Sequence, residues 1–284
     1  MGLLFNLIKS IIYGMIEGIT EWLPVSSTAH LIMMRSFMPL NVFDNAAFDQ
    51  EFWDLYKVVI QLGAILAVLV IYRNRLNPFQ KKIAQKKKSS ILRMWVLILI
   101  ACVPTGIAGV LLDDLVDEKL SAVWIMAVML IVMGGLFIWM EQNRKKPSIR
   151  SIGMISPLKA CLVGCWQILA LIPGTSRSGA TIFGETMLGF DRLTAVEFSF
   201  FLAIPVMFGA SLLKVIKYLV KGAAFSFGGF LVLAAGMITA FVVSMVFIRF
   251  MLNYIRRHDF TVFGIYRIAL GVIMLLFVLA GVLA

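Results

Sequence analysis

Long apolar runs separated by short polar gaps dominate the chain. Runs such as Trp95–Leu112 and Val123–Met140 are apolar on every side, whereas the strands of a transmembrane barrel would alternate apolar and polar residues. Because a helix needs about 20 apolar residues to cross a bilayer, the pattern predicts six full transmembrane helices. We place them at about residues 55–72, 93–112, 121–140, 194–216, 226–250 and 264–283.

Two other apolar stretches, at about 3–38 and 158–189, contain polar breaks and are not simple spans. The first is interrupted by two glutamates, a proline and a Ser-Ser-Thr run, and the second by the run Pro-Gly-Thr-Ser-Arg-Ser-Gly. Irregular backbone at membrane depth is tolerated only where it is buried in protein or lines a wet cavity. Both stretches are therefore predicted to form re-entrant helix–loop–helix hairpins whose breaks mark an internal site.

Each predicted hairpin precedes three spans, so the predicted fold is an all-α polytopic membrane protein with an inverted-topology repeat. The sequence supports the repeat weakly. Leu23–Ser27 aligns with Ile172–Ser176 at an offset of 149, and Gly14-x-x-Glu17 aligns with Gly164-x-x-Gln167 after a one-residue gap. Hairpins related in this way meet near the bilayer midplane. The chain is then a single integral membrane domain, 1–284, with a first repeat at 1–145 and a second at 146–284.

Composition and charge agree with this architecture. Apolar residues make up 61% of the chain and charged residues only 14%, against about 25% charged in soluble domains, which excludes a soluble protein. The net charge of +11 could suggest a nucleic-acid partner, but the basic residues cluster in the gaps between apolar runs. Cytoplasmic loops of membrane proteins carry such clusters, so no nucleic acid is expected.

The charges also predict the orientation. The region from Arg73 to Arg93 contains eight basic residues and no acid, so it is predicted to be cytoplasmic. The gaps before and after it are predicted to be extracytoplasmic because they hold Asp44, Asp49, Glu51, Asp54, Asp113, Asp114, Asp117 and Glu118. The exception is a basic gap that this scheme places outside, with Lys214, Lys217 and Lys221. The first hairpin and both termini are then extracytoplasmic.

Glu17 and Glu21 lie four residues apart and share one face of an otherwise apolar helix. Each ionised carboxylate would cost roughly 2.5–3.5 kcal/mol at the membrane centre, and no basic partner accompanies them in this segment. A functional pair is therefore favoured over a structural one. Two such carboxylates bind a divalent cation through oxygen ligands or act as acid and base.

Three hydroxyls and an imidazole follow the acidic pair. Ser26, Ser27 and Thr28 come after the proline of the first break, and His30 falls in the first turn of the next helix. A serine helix cap accounts for one hydroxyl, and the remainder exceeds what a cap needs. A serine or the histidine, activated by a neighbouring base, is a candidate nucleophile, and the sequence leaves open which of Ser27, Ser26 and His30 it is.

The second break combines glycines, hydroxyls and an arginine. Backbone N–H groups at a helix N-terminus attract anions, and Arg177 adds a planar fork that matches phosphate oxygens. The break is therefore predicted to cradle a phosphate. The residues assigned to this cradle are Gly174, Thr175, Ser176, Arg177 and Ser178. The amides of Gln61 and Gln167 are interpreted instead as helix–helix hydrogen-bonding groups.

Both breaks resemble a known family. The segments Glu17-Gly-Ile-Thr-Glu21-Trp-Leu-Pro-Val-Ser-Ser-Thr-Ala-His30 and Pro173-Gly-Thr-Ser-Arg177-Ser-Gly-Ala-Thr-Ile are similar to the two signature segments of the bacterial undecaprenyl-diphosphate phosphatases, the bacitracin-resistance proteins. The resemblance extends less sharply over most of the chain. Ala29 stands where the family commonly has glycine and Trp22 where it has phenylalanine, and neither change removes a reactive group.

The resemblance implies a multi-pass phosphatase of the bacterial plasma (inner) membrane that converts undecaprenyl diphosphate to undecaprenyl phosphate and recycles this lipid carrier for cell-wall synthesis. It also implies a divalent cation, Mg²⁺ or Ca²⁺, and an active site open to the extracytoplasmic side. The alternative from another class is a secondary transporter or lipid translocase, because broken helices in inverted repeats are the usual transporter plan. A homodimer is left open.

The roles follow residue by residue from the resemblance. Glu17 and Glu21 would bind the metal and orient the nucleophile, Ser27 would attack the terminal phosphorus, and His30 would transfer a proton. Arg177 would stabilise transition-state charge, as phosphoryl transfer depends mostly on positioning and charge. Further phosphate-binding residues would be Ser26, Thr28, Gly174, Thr175, Ser176 and Ser178.

Overall fold

A computed structural model of the protein describes residues 2–43, 45–80, 84–220 and 226–283. Within these ranges the chain is helical, apart from turns and one isolated bridge between Ile149 and Phe190. Four of the charged residues used to predict the orientation lie outside the described residues, namely Asp44, Lys81, Lys82 and Lys221. The same holds for the side chains of Asp113, Asp114 and Asp117.

Eleven α-helices are present in the described ranges. They are α1 (Leu3–Thr20), α2 (Ser27–Phe37), α3 (Ala46–Ile71), α4 (Arg73–Leu76), α5 (Gln85–Lys119), α6 (Val123–Gln142), α7 (Pro157–Gln167), α8 (Arg177–Met187), α9 (Arg192–Val220), α10 (Phe227–Ile255) and α11 (Thr261–Leu279). Short 3₁₀ helices span Ile152–Met154 and Ile168–Leu171.

Seven of these helices are long and apolar enough to cross a membrane, namely α1, α3, α5, α6, α9, α10 and α11. Six coincide with the six predicted spans, although α3, α5, α9 and α10 extend beyond them to 26, 35, 29 and 29 residues. The seventh, α1, lies inside the stretch predicted as the first hairpin. The expectation of an all-helical polytopic membrane protein is confirmed.

Helices from opposite halves of the chain pack closely through glycines. A Cβ atom added at Gly14 in α1 would collide with the carbonyl oxygen of Gly236 in α10, and one added at Gly164 in α7 would collide with that of Ala101 in α5. Small residues let helix backbones approach in this way in a membrane, where apolar burial between helices drives little association. A helix of the N-terminal half therefore packs against one of the C-terminal half in both cases, α1 on α10 and α5 on α7.

The two ends of the first broken stretch lie close together. Asn6 Nδ2 donates a hydrogen bond of 2.6 Å to the carbonyl oxygen of Asn41, and Lys9 Nζ donates one of 2.6 Å to that of Pro39. The beginning of α1 thus lies beside the end of α2.

The second broken stretch has the same feature. Lys159 Nζ donates to the carbonyl oxygen of Leu188 at 3.0 Å, and the backbone N–H of Ser148 donates to that of Gly189 at 2.9 Å. The beginning of α7 thus lies beside the end of α8.

The two short helices α2 and α8 match in detail. Each has 11 residues, and each follows a serine in the left-handed region, Ser26 with φ 71° and Ser176 with φ 70°. Both helices therefore begin at an offset of 150, which pairs Ser27 with Arg177. This offset also pairs Gly14 with Gly164 without the gap that the sequence alignment required. At this offset Pro24 pairs with Gly174 instead of Pro173, so the alignment of the two breaks by their letters differs by one residue from the alignment of the helix starts.

Candidate active site

A polar cavity of about 200 Å³ lies where the two breaks meet. Its polar lining comes from both breaks and from three neighbouring helices. The residues are Glu21, Ser26, Ser27 and Thr28 from the first break, Gly174, Ser176 and Arg177 from the second, and Gln61, Thr105 and Gln167 from α3, α5 and α7. The structure thus brings together seven of the residues predicted for the site.

Ser27 and Glu21 form a hydrogen-bonded pair in this cavity. Ser27 is the first residue of α2, and its Oγ donates to Glu21 Oε2 at 2.8 Å. Glu21 follows the end of α1 and is only 5% exposed. A hydroxyl bonded to a carboxylate has a base in position to accept its proton, which is the arrangement of an activated nucleophile.

Arg177 connects the second break to the same carboxylate. Its Nη2 lies 2.9 Å from Glu21 Oε1, and its Nη1 donates to the carbonyl oxygen of Ser199 at 2.8 Å. The side chains of Arg177 and Glu21 are 10% and 5% exposed. Removing one member of a buried ion pair leaves an uncompensated charge and costs about 3–5 kcal/mol. The pair therefore holds the two breaks together as well as placing a cation in the cavity.

The serines that precede α2 and α8 differ in what their side chains do. Ser176 Oγ accepts a hydrogen bond from the backbone N–H of Gly179 at 3.2 Å and caps α8. Ser26 makes no side-chain capping bond to α2, so the helix cap expected in the first break is absent. Non-glycine residues in the left-handed region store strain of about 1–3 kcal/mol and cluster at active sites. Both serines line the cavity.

Glu17 lies one helical turn before Glu21 and is fully buried. Neither of its carboxylate oxygens has a hydrogen-bond partner among the described residues, and Glu17 does not line the polar cavity. The described residues contain no group of three or more His, Cys, Asp or Glu side chains placed to bind a metal ion. An orphaned carboxylate beside Glu21 still fits Mg²⁺, which binds one or two carboxylates and completes its shell with water and substrate phosphates.

His30 points away from the cavity. Its ring nitrogens lie 2.7 Å from the carbonyl oxygen of Ser26 and 2.7 Å from the hydroxyl of Tyr266. The imidazole also stacks on the ring of Tyr266, with centroids 5.7 Å apart and an interplanar angle of 6°. His30 does not line the polar cavity, and its ring nitrogens contact Ser26 and Tyr266 instead of Ser27.

Two members of the predicted phosphate cradle also face elsewhere. Thr175 is fully buried, and Ser178 Oγ lies 3.4 Å from the carbonyl oxygen of Leu23. Neither lines the polar cavity. Ser178 instead bonds the second break to the first, and Gly174, Ser176 and Arg177 are the part of the cradle that lines the cavity.

Sequence reasoning missed Arg267, which forms hydrogen bonds to both breaks. This arginine is fully buried in α11. It donates to the carbonyl oxygen of Pro24 at 2.9 Å and to those of Gly174 and Thr175 at 2.8 Å each. Buried carbonyls at broken helices need such donors. The available signal was that Arg267 is the one charged residue in the sequence of α11, and intramembrane charges usually mark functional sites.

The amide of Gln167 bonds helix to helix as interpreted from the sequence. Its Nε2 donates to Thr105 Oγ1 at 3.0 Å and so links α7 to α5. Both residues line the polar cavity. Outside the polar cavity, Arg75 Nη1 pairs with Glu197 Oε1 at 2.5 Å.

The sequence that builds this site is similar to those of known proteins. A family model described as "Bacitracin resistance protein BacA" matches residues 10–273. The chain belongs to the BacA family. The match includes both breaks and every helix that lines the polar cavity, so the family assignment rests on the parts of the chain that build the site.

Three curated relatives match nearly the whole chain, and each is named undecaprenyl-diphosphatase. The one from Acetivibrio thermocellus (strain ATCC 27405) is 49% identical over 280 residues, which are 98% of this chain and 99% of the relative. The one from Enterococcus faecalis (strain ATCC 700802 / V583) is 47% identical over 272 residues, 95% and 96%. The one from Streptococcus thermophilus (strain ATCC BAA-250 / LMG 18311) is 45% identical over 276 residues, 96% and 94%.

Proposed function

We propose that this protein is a membrane phosphatase that hydrolyses undecaprenyl diphosphate to undecaprenyl phosphate and phosphate. The observation that carries the proposal is the hydrogen-bonded series Ser27–Glu21–Arg177 in a cavity built from both breaks. The names of the curated relatives supply the substrate. This activity returns the lipid carrier to cell-wall synthesis, and it agrees with the bacitracin resistance in the name of the family.

Ser27 is the proposed nucleophile. Its Oγ attacks the terminal phosphorus of the diphosphate while its proton passes to Glu21 Oε2, 2.8 Å away. The bond between that phosphorus and the bridging oxygen breaks, and undecaprenyl phosphate leaves. Water then attacks the phosphorus of the phosphoserine, and the bond between that phosphorus and Ser27 Oγ breaks. The proton held by Glu21 returns to Ser27 Oγ, which restores the serine hydroxyl and the carboxylate, and phosphate leaves with both protons of the water. Ser27 is preferred to Ser26 and His30 because a carboxylate accepts its hydroxyl proton.

Arg177 is the proposed charge stabiliser. A phosphoryl group in transfer spreads negative charge over its oxygens, and a guanidinium fork in a water-poor site stabilises that charge. Arg177 lines the cavity opposite Ser27 and is kept there by Glu21 and Ser199. The hydroxyls of Ser26, Thr28 and Ser176 and the backbone at Gly174 line the remaining polar wall and are proposed to bind phosphate oxygens.

A divalent cation is proposed to bind at Glu17 and Glu21. Both carboxyl groups are buried and one helical turn apart, and the oxygens of Glu17 are free of protein hydrogen bonds among the described residues. When bound, Mg²⁺ or Ca²⁺ would neutralise charge on the phosphate oxygens.

We also propose the finer architecture that the sequence suggested, with two re-entrant hairpins at about 3–38 and 158–189 and an inverted repeat that divides the chain near residue 145. The hydrogen bonds between the ends of α1 and α2, and between the ends of α7 and α8, support hairpins. The common offset of 150 supports a repeat, as do the close contacts of Gly14 in α1 with α10 and of Gly164 in α7 with α5.

The proposed membrane is the bacterial plasma membrane, with the polar cavity accessible from the extracytoplasmic side. The support is the basic region between Arg73 and Arg93, which the positive-inside rule places in the cytoplasm. Single cysteines at positions 86 and 118, in a background without native cysteines, are expected to label from opposite sides of intact cells. Labelling of position 86 by an impermeant reagent would reverse the orientation.

The direct test is phosphate release from undecaprenyl diphosphate by the purified protein in detergent, with and without EDTA. Hydrolysis that EDTA abolishes and added Mg²⁺ or Ca²⁺ restores is the expected result. A stable protein that binds the lipid diphosphate without releasing phosphate would favour the translocase alternative instead.

A further inference from the structure

A second cavity, of about 510 Å³, lies between α5 and α9 and is mainly apolar. We call it the α5–α9 cavity. It shares four lining residues with the polar cavity, namely Thr105, Leu171, Val206 and Ala210. The two cavities therefore adjoin, and a molecule with a polar head and an apolar tail can occupy both.

Glycines keep the α5–α9 cavity open. A Cβ atom added at Gly106 in α5 or at Gly209 in α9 would meet no atom within 4 Å, and one added at Gly109 would meet only Leu171, at 3.8 Å. The glycines elsewhere on the interhelical faces behave oppositely, since a Cβ at Gly14 or Gly164 would collide with a neighbouring backbone. The glycines of the α5–α9 cavity thus preserve space rather than close helix packing.

Each of the two helices that border this space contains an interior proline. Pro104 stands inside α5 and Pro205 inside α9, and an interior proline removes one helical hydrogen bond and bends the helix. Pro205 itself lines the cavity, together with Cys102 and Val206. From there the lining continues along α9 to Lys214 and Lys217, so the cavity follows α9 from its middle toward its C-terminal end.

We propose that the α5–α9 cavity binds the first isoprene units of the lipid substrate. The proposal rests on the proposed function, because it requires the diphosphate head to lie at Ser27 and Arg177. A head held there forces the chain bonded to it into an adjoining apolar space, and the α5–α9 cavity is contiguous with the polar cavity and has the volume of a typical ligand pocket, about 300–1,000 Å³. The occupant is the substrate's own prenyl chain, not the acyl chain of a bulk phospholipid.

The test fills the cavity without disturbing the surrounding helices. Gly106→Leu and Gly209→Leu place side chains in open space, and leucine favours helix more than glycine does. Gly135→Leu is the matched control, because Gly135 in α6 is exposed, a Cβ there meets no atom within 4 Å, and the residue does not line the cavity. The substrates are dimethylallyl, farnesyl and undecaprenyl diphosphate, which share a head and differ in chain length.

For the parent protein, kcat/KM is expected to rise from dimethylallyl to farnesyl diphosphate, since the added units enter the cavity. In Gly106→Leu and Gly209→Leu the ratio of these two values is expected to fall about tenfold or more, a size typical of blocked apolar contacts. The ratio for Gly135→Leu is expected to equal that of the parent. A parent that hydrolyses no diphosphate would refute the proposed function itself.

Three results would overturn the proposal while the proposed function stands. One is a parent whose kcat/KM does not rise with chain length. Another is an equal loss on short and long substrates in the leucine variants, which would mean that the filled space does not contact the prenyl chain. The third comes from a diazirine-bearing farnesyl diphosphate. It is expected to crosslink to α5 and α9 in the parent and much less in Gly106→Leu, and crosslinking confined to other helices would place the chain elsewhere.

Discussion

The two broken segments share a framework and differ in chemistry. Both contain an 11-residue helix that follows a serine in the left-handed region. At the common offset of 150, however, the first helix begins with Ser27 and the second with Arg177. The break before α2 contributes the carboxylate and the candidate nucleophile, whereas the break before α8 contributes the cation. The comparison indicates that two breaks of similar backbone geometry can present complementary groups to one cavity when each has a different side chain at the first position of its helix.

The division of roles predicts that the first break is the more sensitive of the two. Ser27→Ala removes the proposed nucleophile and is expected to lower kcat about a thousandfold or more, as loss of a nucleophile does in other hydrolases. The measurement is phosphate release from undecaprenyl diphosphate, with the melting temperature as a check on folding.

Ser26→Ala is the matched control because Ser26 lines the same cavity but makes no capping bond to α2. Its loss of kcat is expected to be much smaller. If Ser26→Ala were inactive and Ser27→Ala retained turnover, the nucleophile would be Ser26.

The second break is tested at Arg177, where Arg177→Lys keeps the charge but loses the planar fork. A fall in kcat of about a hundredfold is expected, a size typical of one lost transition-state donor. Arg177→Ala is expected to be worse, since it also leaves Glu21 buried without its ion-pair partner. Full turnover in the lysine variant would remove Arg177 from the proposed mechanism.

The contact between the breaks is tested at Arg267, which bonds to carbonyl oxygens of both. Arg267→Lys cannot reach three carbonyls at once, so a loss of roughly tenfold in turnover and a lower melting temperature are expected, because an unsatisfied buried polar group costs about 1–3 kcal/mol. Lys159→Ala, which removes a contact between α7 and the residue after α8, is the control. Turnover that falls equally in both would mean general destabilisation.

The smallest effect is expected at His30, which the sequence assigned to proton transfer. His30→Gln retains a polar group near Tyr266 and the carbonyl of Ser26, and a loss of kcat below about tenfold is expected, less than the 10²–10⁴-fold contribution of a general acid or base. Tyr266→Phe is expected to behave alike, because the two side chains form one hydrogen bond. If His30→Gln lowered kcat as much as Ser27→Ala does, the histidine would have the proton-transfer role that the sequence assigned to it.

The sequence predicted the helical membrane fold because long apolar runs admit few other structures. It also predicted that Glu21, Ser27 and Arg177 belong together, because the two breaks were expected to meet near the midplane and both resemble the signature segments of one family. It did not predict the direction of His30 or Thr175, because a side chain in a turn can rotate toward either face and only packing decides. Arg267 was missed for a related reason, since its acceptors are backbone carbonyls that leave no mark in the sequence.

The glycine contacts between the halves have a consequence for biogenesis. The face of α1 around Gly14 packs on α10 around Gly236, and a ribosome reaches α10 long after α1 has entered the bilayer. Until α10 is synthesised, the face of α1 around Gly14 has no helix to pack against. Glu17 and Glu21 then lack the helices that later enclose them. Arg267, in the last helix, is synthesised later still, and it bonds to both breaks. Insertion of the nascent chain must therefore be almost complete before the site can form, and a protein truncated before α11 would be inserted but inactive.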